Sequence, residues 1–180
     1  MTAVGLRVKT GKALAIAVAG AAASPRPIRR EEVALADPAA IDTVHPYHLE
    51  IDGQPRAAEA AARRARRIGA AALARLFESV SAVERIESIT IVVNTHTPPE
   101  RITSPHMRAH GKEGWLFREI CEQAAESVGI EPLTLALDEI PLDDRSTQRV
   151  LAALGVEFGR PWTADWKLAA AAAFRTLRWS

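Results

Sequence analysis

The sequence predicts an α/β fold on a mixed five-stranded sheet, three antiparallel strands followed by two parallel ones, with helices on both faces. Three observations carry this. The first 35 residues hold three alternating apolar runs joined by short loops, the pattern of an antiparallel meander. The β-branched run Ile89–Val93 stands between two long helical patterns. From there strands and helices alternate, as in a parallel sheet with crossover helices.

Val4, Leu6 and Val8 alternate with Gly5, Arg7 and Lys9 and predict a strand over Ala3–Lys9. Leu14, Ile16 and Val18 predict another over Ala13–Ala19, with Lys9-Thr10-Gly11-Lys12 as the turn between them. Arg7, Lys9 and Lys12 followed by Ala13 to Ala23 imitate a signal peptide, but the alternation favours a hairpin. Ala21 to Pro27 reads as a loop, and Ile28–Leu35 as the third strand. Asp37 to Pro55 has no period and is rich in turn chemistry. Asp52 and Pro55 mark the entrance to a long helix over Arg56–Val80, striped by Ile68, Ala72, Leu73, Leu76, Phe77 and Val80. After the strand Ile89–Val93, Thr97 to Pro105 is a loop. The second helix is clear over Trp115–Val128 and stops at Gly129, while Gly111 and Gly114 weaken its start at Pro105. Leu133, Leu135 and Leu137 predict the fifth strand. Ser146 caps a short helix ending at Gly155, and Thr163 caps a last, alanine-rich helix reaching about Leu177.

The 180 residues suffice for one domain with a real core, and the formal net charge of +1 gives no whole-protein attraction to nucleic acid or anionic lipid. Any basic surface is therefore local. No apolar run reaches a membrane span. The single cysteine, Cys121, excludes an internal disulfide and a cysteine-built zinc site. A cytoplasmic location is the expectation.

Taken with its order of elements, the chain resembles the ribonuclease H-like superfamily, in particular the branch around the Holliday-junction resolvase RuvC and its uncharacterised relatives. Three stretches carry the resemblance. Ala3-Val4-Gly5-Leu6-Arg7-Val8-Lys9-Thr10-Gly11 is similar to the first strand and its glycine turn, Ile89–Asn94 to the fourth strand, and Thr163 to Ala170 to the terminal aspartate-bearing helix. The resemblance implies carboxylates converging from those places on two Mg²⁺ or Mn²⁺ ions that stabilise the attacking and leaving oxygens of a phosphodiester. Here the first acid falls near Arg7 and the fourth-strand acid at Asn94; Asp165 alone remains. The actin-like ATPase branch is a related match for Lys9-Thr10-Gly11-Lys12, but its aspartate is missing. The stretch is not a Walker P-loop either, because Ala13 stands where Ser or Thr binds Mg²⁺.

Four groups of residues offer chemistry. Arg7, Lys9 and Lys12 with Asn94 form a candidate phosphate-binding edge; the plainer reading is a solvated strand face, or Arg7 paired with Asp165 or Asp138. Asp138, Asp165 and His96 lie at strand ends or on the last helix and form a candidate metal or acid–base set. His45, His48, His106 and His110 are residue types that ligate zinc, but their spacing favours separate loop histidines. Arg63–Arg67 reads as a solvated helix face, Trp162 and Trp166 as packing of the last helix, Trp179 as packing or a subunit contact, and Cys121 as a buried thiol.

The sequence thus supports a single ribonuclease H-like domain over residues 1–180 that binds nucleic acid or a protein partner without catalysis and needs no cofactor. The alternatives are a Mg²⁺- or Mn²⁺-dependent nuclease or phosphodiesterase using regrouped ligands, and a structural homo-oligomer.

Overall fold

The computed structural model describes residues 1–177. Strand β1 (Thr2–Lys9) turns at Thr10-Gly11 into β2 (Lys12–Ala21), which turns again into β3 (Ser24–Ala34). Gly11 has φ 75°, which an L side chain resists, so the first turn needs its glycine. Two short helices follow, α1 (Ile41–Val44) and α2 (His48–Ile51), then the long α3 (Pro55–Ser81). Next come β4 (Ile86–Val93), α4 (Pro105–Ser127), β5 (Leu133–Ala136), α5 (Arg145–Phe158) and α6 (Ala164–Leu177). The five strands stand in the order β3-β2-β1-β4-β5. The β1–β2 and β2–β3 pairs are antiparallel, and β1–β4 and β4–β5 are parallel. This is the predicted mixed sheet. No helix among the described residues is long and apolar enough to cross a membrane.

Strand alternation divides the core in two. Val4, Leu6, Val8, Ile89, Ile91 and Val93 face α3 and α4, where Leu73, Leu76, Phe77, Phe117 and Ile120 meet them. Ala3, Leu14, Ile16, Val18 and Val92 face α5 and α6, including the Ala169–Ala173 run. Each face is an apolar layer removed from water, the main favourable term in folding.

Several boundaries differ from the sequence expectation, each for a local reason. The Ala21–Pro27 loop is a tight turn, and β3 starts at Ser24 despite Pro25 and Pro27. Being the edge strand, it tolerates missing amide donors. The helix at Pro105 begins where the glycines were expected to weaken it. Ser104 caps it, and a Cβ at Gly111 would meet the Ile102 side chain at 2.7 Å, so Gly111 admits the preceding loop. Asp144, not Ser146, caps α5 by accepting from the Thr147 amide at 2.9 Å. That helix runs through Gly155, whose bare backbone receives the Trp162 ring, and stops at Gly159, φ 73°.

The backbones of β1 and α6 approach closely at Gly5. A Cβ at Gly5 would stand 1.9 Å from the Ala169 carbonyl oxygen and 2.8 Å from the Ala173 amide nitrogen. Gly5→Ala should therefore destabilise by about 3 kcal/mol or more, at the upper end of overpacking costs because backbone must move. Gly114→Ala, on exposed α4 with nothing within 4 Å of the added atom, should stabilise by up to ~1 kcal/mol. Urea unfolding of the two variants checks both signs.

Candidate functional site

The Gly5–Ala169 contact sets the register of α6 on β1. Arg7 lies two residues beyond Gly5 on the same face of the strand, and Asp165 lies one helical turn before Ala169. The two side chains meet: Arg7 Nε donates to Asp165 Oδ1 at 3.1 Å. Arg7 pairs with Val92 across the parallel β1–β4 seam, so Asn94, two residues on, comes to the same face. Arg7 Nη2 donates to Asn94 Oδ1 at 2.6 Å, and Nη1 donates to the carbonyls of Val8 at 2.9 Å and Val92 at 3.4 Å. Arg7 is 4% exposed, and a charge that deeply placed persists because carboxylate, amide and carbonyls surround it. Lys9 adds a second cation, its Nζ 2.7 Å from Asp165 Oδ2. Arg7, Asn94 and Asp165 thus converge, from the three stretches of the family resemblance.

Partial burial pushes the Asp165 carboxyl up, but hydrogen bonds from Lys9 and Arg7 and their positive charge pull it further down, and the net shift is downward. Two cations around one carboxylate leave an excess of one positive charge at this corner. Lys9, Thr10 and Asn94 also border a cleft of about 380 Å³ that continues past Thr95 and Thr97 to Trp115 and Arg118 on α4.

The other sequence-derived candidates lie elsewhere. Lys12 pairs with Glu32 on the exposed hairpin surface. His96 Nε2 lies 2.8 Å from Glu139, whose carboxylate also accepts from the Ala136 amide at 2.6 Å. Asp138 borders the same shallow depression as His96, whereas Asp165 does not. The set His96, Asp138 and Asp165 is therefore divided between two places. In the arginine run, Arg63, Arg64 and Arg66 pair with Glu59, Asp37 and Glu119 on the helix surface. Trp166 is buried under the Arg30 guanidinium, 4.4 Å from its ring centroid, and Trp162 donates to the Leu151 carbonyl, so both pack the last helix. Cys121 is buried, which pushes its thiol far up. Trp179 lies outside the described residues.

The histidines depart from the expectation of separate loop residues. Four of them meet between the α1–α2 segment and α4. Glu113, fully buried, accepts one Nδ1 contact from each of His45, His48 and His110 at 3.1, 2.7 and 3.2 Å. The His106 ring packs edge-on against His48 and His110, with centroids 5.0 and 4.7 Å away. The ligand atoms of His45, His48, His110 and Glu113 all lie within 4.8 Å of one another; among the described residues no other group of three or more His, Cys, Asp or Glu does so. Sequence reasoning missed Glu113. A signal was present: it continues the apolar stripe of Leu116 and Ile120 backward at helical spacing, so a carboxylate stands where a core residue belongs.

No protein-family model matches the chain, and no curated protein matches it in sequence. Among solved structures it is similar to RuvC of Thermus thermophilus. In complex with a Holliday junction substrate, that protein aligns at TM-score 0.62 and 12% identity, covering 99% of this chain and 94% of that chain. A second structure of Thermus thermophilus RuvC aligns at TM-score 0.61 and 11% identity, covering 97% and 92%. The likeness shows the fold: the mixed five-stranded sheet and its flanking helices are arranged as in RuvC, a ribonuclease H-like fold.

The lowered Asp165 carboxyl contributes stability above the ordinary carboxylate value, and this is lost as pH falls through its folded value. Asp165→Asn should destabilise at neutral pH by about 1–2 kcal/mol, below the usual cost of breaking a buried pair, because 28% of the carboxylate side chain is in water. Urea unfolding across pH should show the gap between wild type and variant closing below the ordinary carboxylate range. A gap independent of pH would dissociate Asp165 from the pair.

Proposed function

We propose that this chain is a single ribonuclease H-like domain, spanning residues 1–180, that does not cut phosphodiesters and acts by binding nucleic acid in the cytoplasm. One observation carries the non-catalytic half: the buried Arg7 guanidinium stands between Asn94 and Asp165, where two-metal chemistry needs converging carboxylates. A unit charge 4 Å from another costs about 4 kcal/mol at an effective dielectric near 20, and a divalent ion doubles that. Asp165 is already committed to two cations. Mg²⁺ or Mn²⁺ would have to displace both of them with little help from a neutral asparagine.

The binding half is supported by the same corner. Lys9 and its surplus positive charge sit at the rim of a cleft that also presents amide and hydroxyl groups from Asn94, Thr95 and Thr97 and the ring of Trp115. A cation for a phosphate and an aromatic face for a base are the two parts of a strand-binding groove. The neighbour of the same fold that holds a Holliday junction substrate points to branched DNA as the first ligand to try. The rival nuclease with ligands regrouped from His96, Asp138 and Asp165 is less well supported, because His96 and Asp165 have other partners.

A labelled four-way junction and a single strand, incubated with the protein and Mn²⁺ or Mg²⁺, should stay intact. Metal-dependent cutting that disappears in Asp165→Ala would establish the rival. Fluorescence anisotropy should show retention that weakens with salt, with Lys9→Gln reducing the salt slope by about 1. Retention indifferent to salt and to Lys9 would remove nucleic acid as the ligand. Light scattering on the free chain then tells a protein-binding monomer from a homo-oligomer.

A further inference from the structure

The histidine–glutamate cluster has no part in that reading. We propose that His45, His48, His110 and Glu113 bind one divalent transition-metal ion of the zinc class, and that the ion clips the α1–α2 segment to α4.

The donors are of the right kind and number. Three imidazoles and one carboxylate make a four-coordinate nitrogen–oxygen shell, which suits zinc and its neighbours and is a poor match for Mg²⁺ or Ca²⁺. They are also close enough. Two ligands each 2.0–2.1 Å from a tetrahedral ion stand about 3.3 Å apart, and the three Nδ1–carboxylate distances are 2.7 to 3.2 Å. The four ligand atoms all lie within 4.8 Å of one another, so small outward shifts at the carboxylate, with side-chain rotations that draw the imidazole nitrogens together, close the shell around an ion.

Glu113 supplies the electrostatic reason. Its side chain is fully buried, and its ion-pair partners among the described residues are histidines alone. The nearby cations are used elsewhere: Lys112 pairs with Glu50 and Arg118 with Glu122. A buried carboxylate facing imidazoles needs positive charge from them or from an ion they share, and one divalent ion answers all four groups together. The three imidazoles are each about a third exposed and, with His106, border an open cavity of about 400 Å³, which gives the ion a way in. His106 packs against two of the rings and stands outside the ligand set.

Four protein ligands close a tetrahedral shell, so the role is structural. The ion would join His45 and His48, in a segment held by two four-residue helices, to His110 and Glu113 on a 23-residue helix. His110 also borders the Lys9–Asn94 cleft, so the same ion would steady one wall of it.

The untagged full-length chain, stripped with chelator and titrated with Zn²⁺ by calorimetry, should bind one ion per chain with Kd below about 1 μM. Co²⁺ should give the intense visible absorption of a four-coordinate nitrogen–oxygen site. His48→Asn and Glu113→Gln should each weaken binding more than about 100-fold, above the 10–100-fold typical of outer-shell partners. His106→Gln should change it only a few-fold. Absence of stoichiometric Zn²⁺ binding by the folded wild-type chain overturns the proposal whatever the variants do. Equal losses in His106→Gln and His48→Asn would overturn the ligand assignment. Circular dichroism on each variant tells loss of a ligand from loss of the fold.

Discussion

The backbone of α6 reaches β1 only because Gly5 carries no side chain. From that contact the rest of the sheet end follows. It fixes the translation of the last helix along the strand, so it fixes which helical residue faces Arg7. A shift of one residue would turn Asp165 about 100° around the helix and leave the guanidinium without its carboxylate. The alanine run serves the same end: Ala169 to Ala173 are all buried, and larger side chains on the side toward the sheet would hold the helix away. Packing geometry rather than charge attraction therefore decides where the ion pair forms; the pair then makes the packed register the one without a stranded charge.

The two polar clusters of this protein solve the problem of burying charge in opposite ways. At Arg7 a cation is surrounded by four acceptors from three places: Val8 of its own strand, Val92 and Asn94 at the end of the parallel neighbour, and Asp165 of the helix above. At Glu113 a buried carboxylate is met by three imidazole nitrogens. The first arrangement is closed by the protein's own acceptors; the second faces an open cavity. Members of both border one cleft: Lys9 and Asn94 from the first, His110 from the second.

The sheet was readable in the sequence because its strands obey a period of two with one face per cluster, and because Ile89–Val93 is β-branched and flanked by helical patterns. Arg7, Asn94 and Asp165 were readable as a group because strand order and helix placement in this fold bring those three stretches together. The histidine cluster was not. Two of its members come from a segment without periodicity, and short helices such as α1 and α2 leave little pattern to detect. The other two sit on the first turns of α4, where Gly111 and Gly114 argue against a helix by propensity alone; the packing of Ile102 against Gly111 overrides that propensity. Asp144 was overlooked as the cap of α5 because Ser146 is an equally good capping type two residues on, and only geometry tells them apart.

The parallel seam between β1 and β4 bears on how the chain is made. The Arg7–Val92 pairing spans most of the first half of the sequence, and the Arg7–Asp165 contact is separated by 158 positions. Contacts of such long range slow folding, because loop closure is charged before any contact repays it. On a ribosome the β1–β2–β3 meander is complete early, yet the guanidinium on its first strand stays hydrated until the final helix has emerged. The face of β1 under α6 is thus the last part of the sheet to dry, and until β4 has emerged, about halfway along the chain, a nascent chain carries an unpaired β1 edge open to a chaperone or to a mispaired strand.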